Sequence, residues 1–181
     1  MGKVLDRQET VKLFEELGQE YDIYGPKVFK GNGCFSDTDV IRYGKLETME
    51  ELVWDRKSDY SFKEILFPVS ETILYFTEDE MKAADMKPKK NLIFLRSCDK
   101  HALKRLDDIY LHNGAEDMYY KRMRENTVFA VMGCEKSFDS CFCASMGTNR
   151  CEDSDLYVHP DQNEKIYFEC GGHISENDML R

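Results

Sequence analysis

A chain of 181 residues with a net charge of −10 is long enough to bury a proper core, and too acidic for a nucleic-acid binder, whose phosphate contacts need a basic surface. Hydrophobic residues make up 41% and include 11 Phe and 10 Tyr, which marks a folding sequence and not a disordered one. No apolar run approaches ~18 residues, so nothing in the sequence is expected to span a membrane.

Residues 6–19 carry Val11, Leu13, Phe14 and Leu17 at helical spacing, with Asp6 as a cap and Gly18 near the stop; this predicts an amphipathic opening helix. Residues 21–26 and 27–29 read as short strands broken at Gly25-Pro26, and 40–43 as another. Thr48 is expected to begin a modest helix through Trp54. The runs 65–69 and 72–76 are strand-like around Pro68, and 78–86 reads as a short acidic helix or turn.

The pattern then becomes more regular. The apolar run 91–96 leads into Ser97, Cys98 and Asp99, and Ala102, Leu103, Leu106, Ile109 and Tyr110 follow at helical spacing, with Ser97 or Asp99 as the cap. Asn113-Gly114 stops that helix, 116–125 forms a second, and 127–133 is a second apolar run. Strand, helix, helix, strand is the pattern of a parallel βαβ crossover. The predicted class is therefore α/β: a mixed sheet with a parallel βαβ unit and flanking helices. Residues 155–159 and 165–169 form a hairpin in this reading, and 175–181 a polar tail.

Parallel strands ending side by side bring Cys98, Cys134, Cys141 and Cys143 to one edge of the sheet. The N-terminus lacks the apolar stretch of a secretory signal, so the seven cysteines predict a reducing, cytoplasmic setting where an odd count needs no disulfide. Four thiols converging there read as a metal site, with an iron–sulfur cluster the best fit. Cys98 at a helix start sits among amide donors that favour a thiolate, and Lys100, His101, Lys104 and Arg105 stand near enough in sequence to offset an anionic cluster. Spacing alone leaves other readings open. Cys134-x6-Cys141-x-Cys143 is not the ferredoxin run; four thiolates also suit zinc; Cys141-x-Cys143 makes a strained redox pair; buried free cysteines are common. Cys34, Cys151 and Cys170 read as isolated surface or core thiols. The four histidines share no metal-ligand spacing, and no phosphate-binding loop or nucleophile elbow is present.

Several stretches carry a resemblance: 35–39, the run 68–76, Arg96-Ser-Cys-Asp99 with Leu106-Asp107, and Cys141-Phe-Cys-Ala-Ser-Met-Gly-Thr-Asn149. They resemble the family of iron–sulfur subunits of anaerobic sulfite reductase, whose later motifs are shared with sulfhydrogenase beta subunits. The resemblance implies an iron–sulfur electron-transfer subunit of an anaerobic, cytoplasmic oxidoreductase complex, with no substrate chemistry of its own. Its partners would be a flavin subunit that oxidises NADH and a sirohaem subunit that reduces sulfite. It implies a [4Fe–4S] cluster on Cys98, Cys134, Cys141 and Cys143, with Asp99 as an alternative ligand. Family members continue into a ferredoxin-like region with two further clusters, so residues 1–181 are expected to be a single N-terminal domain lacking that region. A docking module without a redox centre and a zinc-stabilised domain are the competing readings.

Overall fold

The computed structural model describes residues 2–35, 37–68, 70, 72–84, 89–151, 153–160 and 165–170. Strand β1 (Gly2–Leu5) precedes helix α1 (Arg7–Glu20), whose start is a capping box. The Asp6 carboxylate accepts the N–H of Gln8 and Glu9 at 2.8 and 2.9 Å, and the Glu9 carboxylate accepts the N–H of Asp6 at 3.0 Å. A helix begins with amides that have no partner within it, and this box satisfies some of them from both sides. Asp6→Ala should therefore cost about 1 kcal/mol in urea-monitored unfolding, with the denaturant slope unchanged. Gly18 lies inside α1, and the helix ends where Tyr21 turns extended.

Residues 21–29 are one strand, β2 (Tyr21–Phe29), and not two. It pairs parallel to β6 only through Tyr24 and antiparallel to β3 (Val40–Lys45) from Tyr24 onward. The Pro26 carbonyl accepts the Val53 N–H at 2.9 Å. Its missing N–H faces that same side, where β6 no longer pairs, so proline removes no ladder bond. Gly25 is needed for close approach: a Cβ there would lie 2.6 Å from Leu52 Cδ1 and 3.3 Å from Phe94 Cβ.

Two further expectations are corrected and a third is narrowed. The helix expected from Thr48 is a single 3-10 turn, Met49–Glu51. The strand-like run from Ile65 is a short helix, α2 (Lys63–Leu66), because a helical turn sends both Phe62 and Leu66 into the core, 0% and 2% exposed; Val69 lies outside the described residues. Of the two readings of 78–86, acidic helix or turn, the turn holds for 78–80, where the Thr77 N–H donates to the Glu80 carbonyl at 2.8 Å; β5 (Met81–Ala83) then pairs antiparallel with β4 (Leu74–Phe76) as an exposed hairpin, residues 85–86 lying outside the described ones.

The parallel unit follows the expected order. Strand β6 (Lys90–Arg96) leads into α3 (Ser97–Leu111) and α4 (Met118–Glu125), and β7 (Thr127–Met132) returns parallel to β6, pairing Asn91 with Thr127 through Arg96 with Met132. A four-residue helix, α5 (Cys143–Met146), precedes β8 (Leu156–Pro160) and β9 (Ile166–Cys170), an antiparallel pair. The sheet order is β1-β9-β8-β7-β6-β2-β3.

Alternation along β6 and β7 builds two cores. Leu92, Phe94, Ala130 and Met132 face Leu13, Phe14 and Leu17 of α1. Ile93, Leu95, Phe129 and Val131 face Leu103, Leu106 and Tyr120 of α3 and α4. Coverage of both faces is why these strands are continuous apolar runs. Their carboxyl ends, at Arg96 and Met132, are where the chain leaves the core.

Candidate metal centre

At those carboxyl ends lies a cavity of about 800 Å3. Cys98 enters it from the first turn of α3, Cys134 from the segment after β7, and Cys141 and Cys143 from the loop and start of α5. Gly133 makes the exit from β7 possible. A Cβ on it would fall 2.2 Å from the His159 ring and 2.4 Å from the Tyr157 hydroxyl, while its N–H donates to the Val158 carbonyl at 2.8 Å. Any other residue would force the His159 and Tyr157 side chains, or the strand exit itself, to shift.

The four thiols meet in one cavity but not in one cluster. Cys98 and Cys143 lie near enough for Cys143 to raise the Cys98 thiol's titration. Cys134 instead accepts a hydrogen bond from Arg96 Nη1 at 3.2 Å. Among the described residues, no three Cys, His, Asp or Glu side chains stand in a metal-binding arrangement. Binding one metal centre through all four would require the 134–143 segment to close on Cys98. The donor set, the volume and a buried guanidinium suit a thiolate-bound anionic group; the sulfur positions are those of separate thiols.

The dipole argument for Cys98 is outweighed. Burial pushes its thiol up to about 12, and neighbouring Asp99 and Cys143 push the same way, with Lys57 opposing. Taking a cation here must therefore expel a proton. Burial also raises the Asp99 carboxyl, while the Arg96 backbone, then the Tyr43 hydroxyl, which donates to it at 3.4 Å, and the Arg96 charge pull it back. No side chain caps α3. The Ser97 hydroxyl is buried without a hydrogen-bond partner, so neither expected cap is used.

The cations expected beside the cluster point elsewhere. Lys104 pairs with Asp153 at 3.2 Å, and His101 Nε2 meets the Arg150 carbonyl at 2.8 Å. Lys100 is buried with its ammonium 4.7 Å from the centre of the Phe129 ring. Arg96, Lys136 and Arg150 line the cavity; of these Arg96 is the buried one, and sequence spacing did not single it out. A signal was present: an arginine closing an apolar run, immediately before Ser97 and Cys98, must find acceptors wherever that strand end is buried.

Two further cysteines also line the wall, contrary to the expectation of isolated thiols. Cys151 packs against the α3–α4 core, near enough to Lys100 to feel its charge. Cys170 packs with Phe168 against the opposite core, so alternation along β9 carries its side chain to the α1 face. Cys34 is exposed in the loop before β3.

Fold and site together define an α/β domain with a thiol-lined cavity at the carboxyl ends of its parallel strands. Over 149 residues, 82% of its length, the chain is 28% identical to sulfhydrogenase 2 subunit beta of Pyrococcus furiosus. It spans 42% of that relative's length. No family profile matches the chain, and no solved structure does. Among the described residues no helix is long and apolar enough to cross a membrane.

Proposed function

We propose that this chain is an electron-transfer module of a multisubunit oxidoreductase, binding one [4Fe–4S] cluster through Cys98, Cys134, Cys141 and Cys143. The observation that carries the reading is the convergence of these four cysteines, from the start of α3 and from the 134–143 segment, on one cavity beside a buried arginine. Similarity to a sulfhydrogenase beta subunit supports the electron-transfer class. The motifs at 35–39, 68–76, 96–99 and 141–149 favour the finer assignment. In it, the chain is the N-terminal domain of the iron–sulfur subunit of an anaerobic, cytoplasmic, NADH-dependent sulfite reductase, between a flavin subunit and a sirohaem subunit.

When bound, the cluster supplies one-electron uptake and release without proton or atom transfer. The protein's part is to hold and shield it. Cys98 comes from a helix start that is fixed by the β6–α3 junction, while Cys134, Cys141 and Cys143 come from a segment that must move to join it. Arg96 places a permanent positive charge at the cavity. Tyr157, over Gly133, covers the β7 side of the site.

The same donors suit a structural zinc, and a docking module would need no metal. Iron, acid-labile sulfide and zinc analysis of anaerobically prepared protein separates the three. Iron and sulfide in equal amounts with broad visible absorbance are expected; stoichiometric zinc, or no metal after anaerobic preparation and reconstitution, overturns the redox reading. Within an assembled complex, NADH-dependent sulfite reduction that requires this chain supports the finer assignment, and proton reduction to hydrogen in its place overturns it.

A further inference from the structure

Arg96 is the last residue of β6 and only 5% exposed. A buried guanidinium cannot lose its proton, so its donors must be met where they stand. Nη2 donates to the Trp54 and Arg56 carbonyls at 2.8 and 3.0 Å. The cation lies 4.8 Å from the centre of the Phe138 ring, in the same segment that carries Cys134 and Cys141. Nη1 then donates to Cys134 Sγ at 3.2 Å. Asp99 is near enough to feel the charge, and its oxygen accepts from the Tyr43 hydroxyl. Two carbonyls and a ring thus aim a fixed cation at one sulfur.

We propose that Arg96 is a positioning residue that holds Cys134 ready as a cluster ligand and raises the cluster's reduction potential. The proposal rests on the cluster reading above. A cluster gains one negative charge on reduction, so a nearby cation stabilises the reduced form more than the oxidised form. A hydrogen bond to a ligand sulfur acts in the same direction. Arg96 is buried but Cys134 is exposed, so water screens part of the effect and the shift is moderate. Lysine cannot reproduce it fully: an ammonium is a point donor, and the guanidinium fork grips carbonyls and sulfur together.

The test is a dithionite titration with mediator dyes, followed by electron paramagnetic resonance, on the full chain carrying its cluster. Arg96→Gln should shift the midpoint to a more negative potential, and Arg96→Lys should fall between the two. If the glutamine variant does not fold, the lysine variant carries the test alone: a potential below wild type is expected, and a wild-type potential overturns the proposal. A purely structural arginine would lower the melting temperature and cluster content of both variants while leaving the potential of the remaining cluster unchanged; that result also overturns it. Failure of the wild-type chain to take up iron and sulfide brings down the cluster reading itself, a different outcome from wild-type loading with unmoved potentials.

Discussion

Cys143→Ser should strip most of the iron from anaerobically prepared protein, and serine at Cys98, Cys134 or Cys141 should each lower the iron content or alter the visible spectrum. Serine is nearly isosteric but offers a hard, weakly acidic oxygen where the cluster requires a thiolate. Cys98 and Cys143 should show the strongest effect, because they are close enough for Cys143 to act on the Cys98 thiol, so losing either removes a neighbour toward which the segment can close. Cys34→Ser, in the exposed loop, should leave the iron unchanged. Cys151→Ser is the sharper control, since Cys151 lines the same cavity. It should keep its iron, its packing against the α3–α4 core being its main role. Loss of iron from Cys151→Ser together with full retention in Cys134→Ser would mean that Cys151, not Cys134, completes the set. Metal analysis and absorbance decide between them without any activity measurement.

The sequence made the βαβ unit legible because nothing local competed with its pattern. Residues 92–95 and 128–132 are apolar at every position and are covered on both sides, while α3 places Leu103 and Leu106 at helical spacing on one core. The misread segments are those where one tertiary contact outweighs propensity. Gly25-Pro26 looks like a break, yet it sits where β2 has lost its β6 neighbour and needs no N–H. Ile65 looks like strand, yet Phe62 and Leu66 must both reach the core. At the site, the motifs placed four thiols on one sheet edge. They gave no sign of Arg96, whose role depends on carbonyls at 54 and 56 brought over by a turn far away in sequence. They also gave no sign of Cys151, which returns to the cavity only because the chain after α5 folds back over α3. Charge expectations failed for a similar reason: proximity in sequence placed Lys104 near Cys98, but its partner is Asp153.

Phe129→Ala should be the most destabilising single change in the second core. Phe129 is 0% exposed at the centre of β7, with its N–H donating to the Asp155 carboxylate at 3.0 Å. Truncating a buried phenylalanine costs about 3–5 kcal/mol through lost transfer energy and the cavity left behind. This ring has a second function. Lys100 Nζ stands 4.7 Å and the Arg124 guanidinium 5.1 Å from its centre, each such contact contributing about 0.5–2 kcal/mol when partly desolvated. Against a total stability of about 5–15 kcal/mol for an ordinary domain, the variant should be largely unfolded at temperatures the parent tolerates. Phe129→Leu refills much of the space but offers no ring face, so its loss should be smaller and should isolate the cation contribution. The pH dependence adds a signature. Burial is the main reason Lys100 titrates below its ordinary 10.5, with Arg124 adding to the shift and Asp155 opposing it. The unfolded chain therefore holds more protons in the window just below 10.5, and this group's contribution to stability rises as pH rises through the folded value. Removing the ring leaves the ammonium less compensated, lowering that folded value further and widening the window. The difference in unfolding free energy between Phe129→Leu and the parent should therefore shrink from neutral toward alkaline pH. A difference that is flat with pH would mean that Lys100 takes no stabilisation from the ring.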